Sequence, residues 1–188
     1  MKYEIKSWSA GKLLFTLEGE NWKLAFTAAV TAGQKFDEAD LSEKDFSDIE
    51  VDCKNSSFYN CRFDNSRFDN SSFYNCRFYN SSFYNCRFYN SRFYNSRFDN
   101  SRFDDCCFAG KRITGPRPLF FIGPLGSSQR QLMAVSTEQG IHLVTGCFNG
   151  SIDEFRAALK EKHGKNKHGK DYEAAIQMIE AHFEIWKE

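Results

Sequence analysis

Four histidines and seven cysteines are the side chains of this 188-residue chain most suited to metal binding or nucleophilic chemistry, and their spacing favours neither. His163 and His168 lie five apart in a stretch rich in Lys and Gly. His142 and Cys147 also lie five apart, on an expected strand, which puts them on opposite faces. A zinc ion needs several such ligands converging on one point. Gly123-Pro124-Leu125-Gly126 lacks the Lys-Ser/Thr that completes a phosphate-binding loop. No local Ser-His-Asp or Cys-His signature is present. Lys162–Lys170, with four Lys, two His and two Gly, has the charge to touch phosphate but reads first as a solvated connection between helices. The expectation is a protein that is not an enzyme and uses no metal and no cofactor.

The cysteines point the same way. Cys61, Cys76, Cys86 and Cys106 share one position of an internal repeat, where they alternate with Ser. A position that takes either residue selects for small size, so reduced cysteines and a cytoplasmic protein are expected. Lys+Arg and Asp+Glu balance at 25 each, which gives no global case for nucleic acid or for an acidic decoy. The charge is uneven, however: net −4 over residues 1–55 and net +2 over each of 56–110 and 111–188. No apolar run approaches the roughly 20 residues of a membrane span, and no signal peptide opens the chain, so no membrane partner is expected.

The elements that hold these side chains follow from a period of five. Eleven consecutive blocks from Ser56 to Gly110 carry Phe at their centre, from Ser56-Ser57-Phe58-Tyr59-Asn60 to Cys106-Cys107-Phe108-Ala109-Gly110. Five matches neither the helical 3.6 nor the strand 2, so the chain must turn a corner in every block. The first residue and the Phe should point inward and the second and fourth outward. The fifth, Asn in nine blocks, should take the corner, because Asn tolerates left-handed backbone. Phe36, Leu41, Phe46 and Val51 keep the same period, and Phe58 falls seven residues after Val51, so two residues are inserted near Cys53–Asn55.

The flanks read differently. Residues 2–8 and 12–17 alternate as a hairpin, and Trp22–Thr31 is an expected helix with Asn21 as N-cap and Gly33 as stop, placed to cap the repeats. Lys111–Pro118 reads as a linker. Beyond it, strands are expected at Leu119–Ile122, Gln131–Ser136 and Ile141–Cys147, a helix over Ile152–Lys162 capped by Ser151, and a final helix over Asp171–Trp186. The domains expected are thus 1–33, 34–110, the linker 111–118, and a small C-terminal α/β domain over 119–188.

The blocks resemble the pentapeptide-repeat family, whose pattern is a small residue, Asp or Asn, Leu or Phe, then two polar residues. Ala39-Asp40-Leu41-Ser42-Glu43 fits it throughout, and the later blocks fit at the small and Phe positions. The resemblance covers residues 34–110. It implies a mainly β fold, a right-handed quadrilateral β-helix with four blocks per coil and one per face. Residues twenty apart would then stack, giving columns Phe58/Phe78/Phe98, Phe63/Phe83/Phe103, Phe68/Phe88/Phe108 and Phe73/Phe93. Cys86 and Cys106 would stack as packed thiols. The stretches around Gly123–Gly126 and Gly146-Cys147-Phe148 are similar to the ends of pentapeptide-repeat proteins from phages and prophages.

The outer positions carry the candidate interaction surface: Tyr59, Tyr74, Tyr79, Tyr84, Tyr89, Tyr94, Arg77, Arg87 and Arg92. Tyr and Arg are enriched at protein-binding hot spots, and the same pair can grip single-stranded nucleic acid. A third reading is a plain face of β-formers and solubilising charges. Arg62/Asp64, Arg67/Asp69, Arg97/Asp99 and Arg102/Asp104 sit two apart, so each can pair on its own strand. Some members of the family inhibit DNA gyrase by resembling acidic duplex DNA, but eleven blocks make only about 13 Å of rod, and these coils are net basic. The expected function is a non-enzymatic interaction module, phage-encoded and acting on a host protein. The alternatives are a structural spacer that self-associates through the C-terminal helix, or a DNA mimic; nucleic acid itself is the less favoured partner.

Overall fold

The computed structural model describes residues 1–88, 91–94, 96–98, 100–127 and 129–187, with Tyr94 described by its backbone alone. Two compact units divide the chain, Met1–Gly110 and Lys111–Glu188.

The first unit opens with strands β1 (Lys2–Lys6) and β2 (Leu13–Glu18), paired antiparallel, and helix α1 (Trp22–Thr31). Asn21 caps α1 as its residue type suggests, its side chain accepting from Leu24 N–H at 3.0 Å. α1 turns Phe26 onto the repeat core, with ring centroids 5.2 Å from Phe36 and 4.9 Å from Phe46. Seven short strands follow: β3 (Glu50–Asp52), β4 (Phe58–Tyr59), β5 (Ser72–Tyr74), β6 (Phe78–Tyr79), β7 (Arg87–Phe88), β8 (Arg92–Tyr94) and β9 (Cys107–Phe108).

These strands pair in parallel with a shift of twenty residues, as in Phe58↔Phe78, Phe73↔Phe93 and Phe88↔Phe108. The expected columns of Phe are present: neighbouring rings stack at 5.2 Å (Phe58–Phe78), 4.9 Å (Phe63–Phe83) and 5.0 Å (Phe68–Phe88). Among the described residues the repeats form small separate sheets and single bridges, and no closed solenoid. Each block has only two or three extended residues before its fifth residue enters the left-handed region and turns the chain. Asn60, Asn65, Asn70, Asn75, Asn80, Asn85 and Asn100 all do so, with φ between 51° and 58°.

The insertion does not break the stack. Before it the shift is twenty-two, as in Val51↔Phe73 and Asp40↔Arg62; after it the shift is twenty. The extra length lies at one corner, where it meets the end of α1: Lys35 Nζ donates to the Asn55 carbonyl at 2.6 Å and the Ser56 hydroxyl to the Val30 carbonyl at 3.0 Å. This corner also corrects the expectation that all the cysteines are reduced. Cys53 and Cys76 are joined as a disulfide, with Cα atoms 4.8 Å apart, because the two-residue insertion lays Cys53 beside the first residue of a block one coil on. The other five thiols are free, among them Cys86 and Cys106, which pack as buried thiols.

The second unit begins with β10 (Lys111–Arg112). Its sheet runs in chain order, β11 (Leu119–Leu125), β12 (Arg130–Thr137), β13 (Gly140–Thr145) and β14 (Phe148–Ser151), all antiparallel neighbours. Helices α2 (Ile152–Lys162) and α3 (Lys167–Ile185) come after it and pack on it. Strands first and helices after, on an antiparallel sheet, is an α+β arrangement, which narrows the expected α/β. Leu132, Leu143, Phe155, Ile176, Ile179 and Phe183 lie at its core. Residues 111–118, expected as a linker, bond along β12: Thr114 N–H donates to the Ser136 carbonyl and Ser136 N–H to the Pro118 carbonyl.

Two features here depart from the sequence reading. β14 (Phe148–Ser151) falls where the sequence reading places no strand. α3 starts at Lys167 rather than Asp171, with Asn166 as its cap, so half of the basic stretch is helix. Gly169 reads as a breaker, yet it is needed inside the first turn: a Cβ there would lie 2.3 Å from the Gly164 carbonyl oxygen.

Candidate functional site: the outer ladders of the repeats

A five-residue step moves the chain one ladder sideways, so only residues twenty apart share a surface. The candidate residues therefore divide among four ladders instead of forming one patch. Tyr59, Arg77 and Tyr79 lie on the first, with Arg97 in register with Arg77. Tyr84 lies on the second, where Arg62, Ser82 and Arg102 align. Arg87 lies on the third, in register with Arg67. Tyr74, Arg92 and Tyr94 lie on the fourth. Tyr89 and the side chain of Tyr94 fall outside the described residues, as does Asp99.

The ladders hold together through side chains that look interchangeable in sequence. At several first positions the side chain donates to the carbonyl of a Phe one coil below. The Ser81 hydroxyl donates to Phe58 O at 2.9 Å, the Cys86 thiol to Phe63 O at 2.9 Å and the Ser101 hydroxyl to Phe78 O at 2.9 Å. Ser also accepts from the coil below, as Ser81 Oγ does from Cys61 N–H at 3.2 Å. The position thus selects a small hydrogen-bond donor, not smallness alone. Burial pushes the Cys61 and Cys86 thiols up, well above the usual thiol range, so neither is a nucleophile at neutral pH.

The fourth position corrects a second expectation. Asp64 and Asp69 do not face out: they are only 8% and 5% exposed. Asp64 turns onto the next coil, accepting from the Ser82 hydroxyl at 2.6 Å and Tyr84 N–H at 3.0 Å, and from Arg62 Nε at 2.6 Å. Burial opposes its ionisation, yet the bonds from Arg62, Ser82 and Tyr84 together hold its carboxyl below the ordinary carboxylate range. Asp37 repeats the device, accepting from the Ser57 hydroxyl at 2.7 Å and Tyr59 N–H at 3.1 Å. An Asp followed about twenty residues later by Ser-Phe-Tyr is the signal that could have revealed it.

The same-strand pairs expected from spacing are present at Arg62–Asp64 (2.6 Å), Arg67–Asp69 (3.6 Å) and Arg102–Asp104 (2.9 Å). On the third ladder, Asp69 also takes Arg87 at 2.8 Å, so one buried carboxylate serves two stacked guanidiniums. The acidic leading blocks are partly committed to the backbone. Asp40, Asp45 and Asp52 each accept the N–H two residues on, and Lys23 pairs with Asp45 and Asp48.

The first ladder stays open. Tyr59 and Tyr79 are 38% and 41% exposed, and their rings meet edge to face at 5.9 Å. With Arg77, Phe78 and Arg97 they line a shallow depression of about 450 Å³. Tyr84 on the second ladder is 46% exposed.

In the second unit the candidate ligands stay apart. His142 is buried against Asn149, and its burial pushes its pKa down, while Cys147 is exposed in the turn after β13. His163 and His168 rings lie 5.8 Å apart. Among the described residues no three His, Cys, Asp or Glu side chains gather where they could hold a metal ion. No helix among them is long and apolar enough to cross a membrane.

Comparison with known families agrees with the ladder geometry. Residues 49–83 match a family model described as pentapeptide repeats (8 copies), and residues 73–110 match a second described as pentapeptide repeats (9 copies). The segment 49–110 is therefore made of pentapeptide repeats, and the chain is a repeat protein. No curated protein and no solved structure matches the chain.

Proposed function

We propose that the pentapeptide repeats wind as a right-handed, four-sided β-helix and that this repeat protein is a non-enzymatic interaction module. The right-handed sense follows from the general rule for crossovers between parallel strands. Four sides follow from the shift of twenty, which is four blocks. The observation that carries the function is the open first ladder, where Tyr59, Tyr79 and Arg77 stand exposed on a backbone fixed from within. Aromatic and Arg side chains held rigidly lose little entropy on docking, which is how such residues come to dominate interfaces. The partner proposed is a host protein and the chain phage-encoded, on the similarity of its flanks to the ends of such repeat proteins.

A spacer is the rival reading, and the internal bonding of Asp64 and Asp69 on the second and third ladders favours it, since a spacer needs no open face. Affinity capture from host lysate separates the two. The wild-type chain should retain a saturable protein partner that a Tyr59→Ser/Tyr79→Ser variant loses. Equal capture by both, or capture by neither, would leave the spacer.

A further inference from the structure

Helix α3 buries one face and leaves an apolar stripe on the other. Tyr172, Ala175, Ile176, Ile179 and Phe183 lie in the core of the second unit. On the opposite face Ala174, Met178, Ala181 and Ile185 are exposed, Met178 by 56% and Ile185 by 74%. Their spacing of four, three and four puts them on one line along the helix. Single apolar residues on a surface are ordinary, but an outward helix face is normally polar, and a line of them marks a face to be covered. The stripe alternates small and large, and its order is symmetric: Ala174 is as far from its centre as Ile185, and Met178 as far as Ala181. A two-fold axis through that centre sets each large side chain of one copy on a small one of the other. That is the self-complementarity an isologous pair requires.

We propose that α3 pairs antiparallel with α3 of a second copy of this chain, Ala174 against the partner's Ile185 and Met178 against the partner's Ala181. The charges beside the stripe fit this pairing. Glu173 comes level with the partner's Lys187, and Gln177 with the partner's Glu184. Within one copy these groups are loosely held. Lys187 pairs with Glu184 at 3.5 Å on the open surface, and Glu173 lies 3.9 Å from Arg156, whose closer partner is Glu180 at 2.8 Å. A parallel pairing would set Ile185 on Ile185, Ala174 on Ala174 and Glu184 beside Glu184, leaving gaps and like charges. Antiparallel helices also place opposite dipole ends side by side. From Ala174 to Ile185 the stripe runs about 17 Å at 1.5 Å per residue. One helix pair of that length lies at the low end of interface sizes, so the dimer is weak and half-formed at roughly tens of micromolar. The inference stands on the second unit and does not depend on what the repeats bind.

The test is sedimentation velocity of the full chain from micromolar to near-millimolar concentration. Wild-type protein should pass from 21.8 kDa towards twice that mass. Met178→Glu/Ile185→Glu should stay monomeric over the whole range, with the wild-type melting temperature because both sites are exposed. Lys187→Glu should weaken the dimer about threefold, the scale of exposed ion pairs, and Glu173→Lys/Lys187→Glu should recover it. Orientation is read by cross-linking in a Cys147→Ser background, which removes the exposed thiol. Under oxidation, Ala174→Cys mixed with Ile185→Cys should give a disulfide-linked pair that neither gives alone. A chain monomeric throughout, a dimer indifferent to Met178→Glu/Ile185→Glu, or Ala174→Cys cross-linking to itself would overturn the proposal. The first of these would leave the stripe to a different protein.

Discussion

The repeat segment and the sheet-and-helix unit after it bury their apolar side chains by different rules. In the second unit the core mixes residue types without a repeat: Leu132, Ala134, Phe155, Tyr172, Ile176 and Phe183 form one buried cluster. In the repeats one solution recurs, a Phe stacked on a Phe one coil away, with a Ser or Cys beside it closing the carbonyl below. The recurrence frees the outer positions, because the corner Asn and the inner donor already fix the backbone. Ladders that are alike inside can therefore differ outside: the first exposes Tyr59 and Tyr79, while Asp64 and Asp69 are buried on the second and third.

The contrast can be broken first at the core. Phe68 is fully buried, with rings 4.9 Å from Phe46 and 5.0 Å from Phe88. Phe68→Ala should destabilise the protein by about 3–5 kcal/mol in a urea titration, and Ile179→Ala in the second unit by about 2–4 kcal/mol. A small loss at Phe68 would mean that the stack relaxes around the hole and that the repeat core is less specific than its regularity implies.

The inner donor gives a smaller effect. Ser81→Ala leaves the Phe58 carbonyl and the Cys61 N–H without their partner, which should cost about 1–3 kcal/mol by thermal denaturation. Ser81→Cys should cost less, because the Cys86 thiol makes the equivalent bond to Phe63. If Ala and Cys behaved alike, the position would be selecting for size only.

The smallest effect concerns Asp64 and depends on pH. Its folded carboxyl lies below the ordinary value, so the charged form favours the folded state. That contribution is full above the unfolded carboxylate value, about pH 4, and is lost as pH falls through the depressed folded value. Asp64→Asn should therefore be less stable than wild type at neutral pH, and the gap should close on acidification. A gap that stays constant down to acid pH would show that Asp64 is held by shape and not by its charge.

Much of this was legible in the sequence, for a physical reason: a strict period leaves the chain few ways to bury one Phe in five. The columns of Phe, the Asn corners, the place of the insertion and the caps Asn21 and Ser151 all follow from local chemistry. What was not legible depends on where neighbouring coils meet. Asp64 and Asp69 look solvent-facing within their own blocks and are buried only by the coil above. Cys53 meets Cys76 only because the insertion shifts the register by two. The division of the candidate Tyr and Arg residues among four ladders was implicit in the spacing of twenty, but a list of exposed residue types does not show it.

The account's central claim is that ladders with one interior differ in what they bind, and a ladder-by-ladder affinity measurement on the captured partner tests it most directly. Tyr59→Ser/Tyr79→Ser, Tyr84→Ser, Arg87→Ser and Tyr74→Ser would each be titrated against that partner by calorimetry. The expected result is a loss of about tenfold or more for the first-ladder variant, the scale of a hot-spot deletion, with the other three near wild type. Equal losses from all four, or no loss from the first, would contradict the claim.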